Sequence, residues 1–327
     1  MILVTGINGM LGNAVLDQLL ERGTRVRGFD LHAHPNPQVE SIVGDIRNLS
    51  DVHLACDGVE GVIHLASLVD LHLGQPPRLY DINVTGVENL IAACREKQVP
   101  RLVYMSSAEV ISGASPLRNA DENTPYPRPH LTYYGITKEA AERHILAAND
   151  EQLATCAFRT FGIFGEGDRN FVGYLLKKTR GKQIPLMGDN KGLTNIVYAG
   201  NLAHALILGL EQLHIAGSIA GNVFHITDHE PQSVQDFMLE LLEPAGYKQA
   251  NFHINFRLAM FIARLLELGY QLTKAERLAY PLFTRHQLLL GTRDYYLDSS
   301  KARNKLGYSP RFDRAEAIAR TQKWLTS

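Results

Sequence analysis

Short apolar runs recur along the first half of the chain, and stretches of helical periodicity separate them. The first run, Ile2-Leu3-Val4-Thr5, reads as a buried parallel strand. A helical stripe of Leu11, Val15, Leu19 and Leu20 follows it. Further strands are expected at Arg25–Phe29 ending on Asp30, at Val39–Val43, at Gly61–His64 with its exit Leu65-Ala66-Ser67, at Arg101–Met105 and at Thr155–Phe158. Between them lie a helix from Leu49 onward, a long helix over Leu79–Gln98 and a helix over Tyr133–Asn149. Strand and helix in regular alternation predict an α/β fold, a doubly wound parallel sheet of Rossmann type. The stretch Gly113–Pro129, rich in proline and polar residues, reads as a loop.

The pattern changes near Phe164. Residues 1–163 are expected to form a dinucleotide-binding unit and 164–327 a smaller, mostly helical substrate region, with a strand over 194–198 and a helix over 202–213 returning to the first unit. Helices are expected over Phe171–Thr179 and Val234–Leu242, and a short strand over Val223–Ile226. Phe256–Leu266 is strongly apolar but interrupted by Arg257 and Arg264, which suits a lid, a packing helix, an apolar wall or a shallow membrane contact. Tyr280–Thr284 is expected to add to such a wall.

Candidate chemistry sits at the ends of the strands. Gly6, Gly9 and Gly12 stand in G-x-x-G-x-x-G spacing between the first strand and first helix. In that context the first glycine permits a tight turn, the second lets the backbone approach a pyrophosphate, and the third lets helix and strand pack closely. The helix N-terminus then offers free N–H groups to phosphate. Asp30 at the second strand end can accept both ribose hydroxyls of an adenosine and would repel a 2′-phosphate, which favours NAD over NADP, although Arg25 and Arg27 lie close by. Asp45 either touches the adenine amino group or caps the helix from Leu49. Tyr134 and Lys138 stand one helical turn apart on one face. An ammonium beside a phenol would lower the phenol's pKa and suit it to carbonyl/alcohol interconversion, with the Ser107 hydroxyl holding the substrate oxygen. The apolar stretch carrying Val69, Leu71 and His72 leaves the C-terminal edge of the sheet and is assigned to the substrate mouth. His64 reads as a core histidine. His32 and His34 have no third ligand at metal spacing.

Composition narrows the partners. Lys+Arg and Asp+Glu number 33 and 34, which leaves no basic excess for nucleic acid. Cys56, Cys94 and Cys156 form no C-x-x-C pair, so reduced thiols in a cytoplasmic setting are expected. Met1 already abuts the first strand, and no apolar run reaches the ~18 residues of a spanning helix.

Together these stretches resemble the extended short-chain dehydrogenases/reductases, and within them the 3β-hydroxysteroid dehydrogenase family that includes sterol-4α-carboxylate 3-dehydrogenases. The residues that carry the resemblance are Gly6 to Gly12, Val62-Ile63-His64, Asn83-Val84-Thr85-Gly86, Tyr104 to Val110, Tyr134 to Lys138, Leu146 to Asn149, Ala157 to Asp168 and Asn222 to Thr227. The resemblance implies NAD as cofactor, with NADP possible, and an apolar secondary alcohol or ketone as substrate. It implies Tyr134 as general acid/base, Lys138 on the nicotinamide ribose, Ser107 as catalytic hydroxyl with Ser106 as its backup, and Asn83 in support. It places the cofactor against Gly6, Asn8, Gly9, Met10, Leu11, Gly12, Asp30, Asp45, Ile46, Leu65, Ala66, Ser67, Ser106, Thr160 and Phe161. Substrate contacts would come from Val69, Leu71, His72, Glu109 and Ile163. A homodimer pairing the helices Leu79–Gln98 and Tyr133–Asn149 is also implied.

Departures from neighbouring groups bear on the substrate. Nucleotide-sugar epimerases and dehydratases usually carry asparagine where this chain has Gly162 and an Arg-Asp pair where it has Leu193-Thr194. The sugar dehydratases' Asp-Glu pair is here Ala108-Glu109. Thr160 replaces a proline common in the steroid family. Alternatives are a 2-alkyl-3-oxoalkanoate reductase, which would use NADPH, a nucleotide-sugar epimerase, and a dinucleotide-binding redox sensor.

Overall fold

Neighbouring residues of each apolar run point to opposite faces of one sheet, and helices cover both faces, so the central strands are buried along their length while the edge strand at Val39–Val43 carries Glu40 and Ser41. The computed structural model describes residues 1–71, 75–169, 172–173, 183–187, 192–273 and 284–326. Its main sheet is built from β1 (Ile2–Thr5), β2 (Val26–Asp30), β3 (Val39–Val43), β4 (Gly61–His64), β5 (Arg101–Met105), β7 (Ala154–Arg159) and β12 (Val223–His225). These seven strands lie in the order β12-β7-β5-β4-β1-β2-β3, and every pairing is parallel. The doubly wound expectation holds, with one strand added: Val223–His225 closes the sheet edge beside β7.

On one face Val4, Ile63, Val103 and Phe158 pack against α1 (Met10–Glu21) and α6 (Ala199–Gln212). On the other, Leu3, Val62, Leu102 and Tyr104 pack against α2 (Leu49–Cys56), α4 (Gly86–Glu96) and α5 (Tyr133–Ala147). All three cysteines are free and buried. A further core joins Phe164, Tyr198, Phe237 and Leu241 in the C-terminal half.

Four expectations are corrected. The helix read over Leu79–Gln98 is composite: α3 (Pro77–Tyr80), a π-helical turn (Asp81–Thr85), then α4. The loop read over Gly113–Pro129 contains β6 (Leu117–Ala120), which pairs with β15 (Tyr295–Leu297) in a four-stranded sheet with β10 (Leu193–Thr194) and β13 (Gln232–Ser233). That partner is contributed from far along the chain, so no local pattern announces the strand. The strand read over 194–198 is split between β10 and β11 (Ile196–Tyr198). β11 pairs with β8 (Gly162–Phe164) and stays outside the main sheet, whereas α6 packs against α1. Finally, Asp45 does not cap α2. Asn48 does, accepting from Ser50 N, while the Asp45 carboxylate is held by Arg47 at 2.6 Å.

The C-terminal part also holds α7 (Val234–Leu242), β9 (Gln183–Met187) paired with β14 (Lys248–Ile254), α8 (Phe256–Thr273), α9 (Arg285–Thr292), α10 (Ser300–Leu306) and α11 (Arg314–Thr326). The expected helix over Phe171–Thr179 falls largely outside the described residues, as do His72 and most of Tyr280–Thr284.

Candidate active site

The strand order reverses between β1 and β4, which opens a crevice at their C-terminal ends. The glycine turn leaves β1 there. Gly6 has φ +70°, and a Cβ on it would lie 2.8 Å from Ala66 N, so glycine is required where the turn meets the exit of β4. A Cβ on Gly12 would lie 2.4 Å from Gly6 O, so only glycine lets α1 start this close to the turn. Gly9 is the N-cap of α1 and supplies no side-chain cap, and the first turn holds no acid. Three N-terminal features thus fit a dinucleotide: a cradle that side chains would fill, uncapped helix N–H groups, and no competing negative charge. Met10 and Leu11 begin that helix.

Asp30 reaches the same crevice from β2, where its carboxylate accepts from Asn8 N at 3.0 Å and Leu31 N at 2.7 Å. Across the switch point, Leu65 N and Ala66 N both donate to Thr5 Oγ1, whose other partner is His64 Nδ1 at 2.6 Å. His64 is therefore a core group, as expected; burial, with Lys138 adding to it, pushes its pKa down to about 3 and keeps it neutral. Ile46 packs at the start of α4, where Gly86 leaves room for its side chain.

Tyr134 and Lys138 stand on α5. Thr132 caps this helix by accepting from Gly135 N at 3.0 Å, so Tyr134 lies in the first turn, where the helix dipole favours an anion. Gly135 is small because the Glu109 carbonyl oxygen would lie 2.9 Å from a Cβ there. The Ser107 and Ser67 hydroxyls lie close enough to the Tyr134 phenol to favour its anion, so the exits of β5 and β4 converge on α5. Asn83 sits in the π-helical turn. It accepts from Ser67 Oγ at 3.0 Å and Leu68 N at 2.8 Å, and donates to Thr137 Oγ1 at 3.2 Å. It thereby ties the exit of β4 to α5. π-helical turns gather at functional sites because the extra residue redirects a side chain. Thr160, next to β7, is buried, and its carbonyl oxygen accepts from Ala108 N at 2.9 Å. Phe161 stacks edge-on to Tyr295, Ile163 lies half-buried on β8, and Val69 and Leu71 leave β4 at the mouth.

One electrostatic expectation is overturned. The Tyr134 phenol is pushed up from its ordinary value, first by burial and then by the Glu109 carboxylate; the nearby Ser107 and Ser67 hydroxyls only partly offset this. Lys138 does not face the phenol with a free ammonium. It is buried, donates to Met105 O at 2.7 Å and lies 4.3 Å from the centre of the Tyr104 ring. Burial lowers its pKa to about 7, with the Glu142 carboxylate one turn along acting in the opposite sense.

Two partners were not found from sequence. Glu109 accepts from His286 Nε2 at 3.0 Å, so α9 touches the turn that follows Ser107 from a distant part of the chain. No local pattern could reveal that. Glu142 forms a buried ion pair with Arg159, at 2.8 Å between Oε2 and Nε. Its spacing could have been noticed, because Tyr134, Lys138 and Glu142 continue one helix face.

Fold and site together define a nicotinamide-dinucleotide-dependent oxidoreductase of the short-chain dehydrogenase/reductase type. Among the described residues there is no cluster of three or more metal-binding side chains. The chain belongs to the 3-beta hydroxysteroid dehydrogenase/isomerase family, whose pattern matches residues 3–258. It is 34% identical to the decarboxylating sterol-4-alpha-carboxylate 3-dehydrogenase of Mus musculus, over 97% of this chain and 89% of that one. It is 32% identical to a 3-beta-hydroxysteroid dehydrogenase of Mycolicibacterium neoaurum, over 99% of this chain and 91% of that one. Among solved structures it resembles MoeE5 in complex with UDP-glucose and NAD, with 25% identity, a TM-score of 0.76, and coverage of 99% of this chain and 98% of that one.

Proposed function

We propose that the protein oxidises a secondary alcohol, or reduces the matching ketone, on an apolar sterol- or steroid-type substrate, with NAD as cofactor. The observation that carries the reading is the convergence of Ser67, tied to Asn83, and Ser107 on the Tyr134 phenol, with a glycine cradle at the end of β1 in the same sheet. Bound NAD supplies the hydride acceptor at its nicotinamide. In the oxidation Tyr134 acts as the phenolate and takes the alcohol proton; in the reduction the neutral phenol gives its proton to the ketone oxygen. Ser107 holds the substrate oxygen against that phenol, with Ser106 on the preceding position of the same loop. Lys138 holds the nicotinamide ribose. Asn83 fixes the loop that presents Ser67. Gly6, Asn8, Gly9, Met10, Leu11 and Gly12 seat the pyrophosphate, Asp30 the adenosine ribose, and Asp45 and Ile46 the adenine. Leu65, Ala66, Thr160 and Phe161 line the nicotinamide side. Val69, Leu71, Glu109 and Ile163 border the substrate.

A carboxylate at Asp30 favours NAD over NADP, and so speaks against the NADPH-using 2-alkyl-3-oxoalkanoate reductases. Gly162 and Leu193-Thr194 offer no charged grip on a sugar nucleotide's phosphates. We assign residues 1–163 to the dinucleotide and 164–327 mainly to the substrate. We also propose a cytoplasmic homodimer through α4 and α5; a monomer by light scattering would remove the dimer. Screening 3β-hydroxysterols, 3-hydroxy fatty acids and UDP-sugars for NAD reduction tests the function. Turnover confined to the second or third class would overturn the sterol reading.

A further inference from the structure

Glu109 joins two distant parts of the chain. Its turn begins at Ser107, whose hydroxyl oxygen accepts from Glu109 N at 3.2 Å. Its carbonyl oxygen abuts Gly135, where a Cβ would lie 2.9 Å away, so the turn rests on the first turn of α5 beside Tyr134. Its carboxylate meets His286, and the two residues are 8% and 6% exposed. His286 Nε2 lies 3.2 and 3.0 Å from the two carboxylate oxygens. A carboxylate only accepts, so Nε2 carries the hydrogen and donates it.

The approach of His286 is fixed by α9. Thr284 and Gln287 close a capping box around the start of that helix. Arg285 binds Glu267 of α8 through its backbone N at 2.7 Å and its Nε at 2.6 Å. The other ring nitrogen of His286, Nδ1, is buried without a partner. A buried polar atom left in that state is costly. An apolar pair of similar volume would carry neither that cost nor a buried carboxylate. Packing of α9 therefore does not account for the imidazole, whereas the hydrogen it turns toward Glu109 does.

We propose that His286 is a positioning residue for proton transfer at Tyr134, acting through Glu109, whose carboxylate it holds beside the phenol and whose turn presents Ser107. The proposal rests on Tyr134 as the acid/base and on no particular substrate. Glu109 faces the phenol from the Ser107 turn, Tyr104 faces it from β5, and Lys138 of α5 is turned onto the Tyr104 ring. Glu109 also acts on Tyr295 of β15, where Arg293 opposes it. Among the described residues Glu109 is the charged group that makes the phenol harder to ionise, so where His286 holds that charge matters to the proton.

The test is the pH dependence of NAD reduction with any secondary alcohol that the wild type oxidises. Oxidation needs the phenolate, so kcat rises with pH through the ionisation of Tyr134. Glu109→Gln removes the charge, keeps an oxygen for His286 and keeps the backbone N–H to Ser107. Its rising limb is expected about one pH unit lower than that of the wild type. His286→Phe should lower kcat about tenfold with the NAD dissociation constant unchanged, and His286→Gln should restore most of that loss through its amide N–H. Adding His286→Phe to Glu109→Gln should cost less than about twofold more. Melting temperatures check folding, and the shape-conserving Glu109→Gln carries the test if His286→Phe does not fold. A contact that is merely structural would change the melting temperature and leave the limb in place. Tyr134→Phe at near-wild-type rates would remove the acid/base assignment itself. With Tyr134→Phe inactive, three results would each overturn the role of His286 alone: a limb unmoved by Glu109→Gln, no loss in a folded His286→Phe, or an undiminished loss when His286→Phe is added to Glu109→Gln.

Discussion

The ion pair between Arg159 and Glu142 anchors α5 to the sheet, and its removal can be worked through in numbers. The two side chains are 3% and 0% exposed. Arg159 Nε lies 2.8 Å from Glu142 Oε2, and Tyr126 donates its hydroxyl to Glu142 Oε1 at 2.8 Å. Burial alone would raise the Glu142 carboxyl; the hydrogen bonds and charge of Arg159 outweigh it and hold it below its ordinary value. Deleting either partner leaves the other charge buried and unpaired, which costs about 3–5 kcal/mol. Glu142→Met and Arg159→Met should each be destabilised by that amount. The double variant removes both charges and leaves chiefly the Tyr126 hydroxyl without its acceptor, a loss of about 1–3 kcal/mol. The double variant is thus more stable than either single, with a coupling of at least about 3 kcal/mol. Urea unfolding of wild type and the three variants, followed by circular dichroism, measures the cycle. A double variant destabilised by the sum of the singles would refute the reasoning, because it would mean that each residue works through other partners.

Other outcomes follow from the same geometry. Tyr134→Phe should retain NAD binding, read by fluorescence titration, and lose about 10²–10⁴-fold in turnover; rates near wild type would remove Tyr134 from acid/base duty. Gly12→Ala sets a methyl group against the Gly6 and Ile7 carbonyls at 2.4 and 2.5 Å, so NAD binding should weaken and stability should fall by about 1–3 kcal/mol, measured by calorimetry and thermal melting. Asp30→Ala should narrow the ratio of NAD to NADP turnover, and an unchanged ratio would show that another group selects the cofactor. Lys138, at about 7 in the folded chain against 10.5 unfolded, releases its proton earlier when folded. Between those values the unfolded chain binds more protons, so this lysine's destabilisation is full below pH 7 and fades as pH rises toward 10.5. Lys138→Met should therefore gain stability relative to wild type most strongly below pH 7, and a difference that is flat with pH would contradict the shift.

The parts legible in the sequence are those whose signal is local. The glycine turn, the strand that precedes it and the helix that follows lie within the first 21 residues, and their spacing alone implied the cradle. Tyr134 and Lys138 share a helix face, so their alignment was readable as well. What escaped depends on distant partners or on backbone irregularity. β6 is a strand only because β15 comes back beside it, and His286 is relevant only because α9 crosses to Glu109. The π-helical turn at Asn83 obeys no side-chain period that sequence reading uses. The direction of the Tyr134 shift failed for another reason. Sequence adjacency supplied the lysine's charge but not its burial, and burial is the larger effect.

That burial explains an apparent excess of cost around one cleft. His64 Nε2, Tyr104 Oη, Thr160 Oγ1 and His286 Nδ1 are buried without a hydrogen-bond partner, and all belong to residues in or beside the Ser107–Tyr134–Lys138 cluster. Each such atom costs about 1–3 kcal/mol, and a buried amine adds to the sum. Stability alone would have removed them, since apolar side chains of similar volume pack there at lower cost. A phenol raised by burial gives up its proton reluctantly. The first-turn dipole of α5 and the serine hydroxyls act on it in a space already stripped of solvent, where each is worth more than at a surface. In the proposed mechanism, the elements that destabilise the free chain are the ones that make proton transfer at Tyr134 responsive to what occupies the cleft.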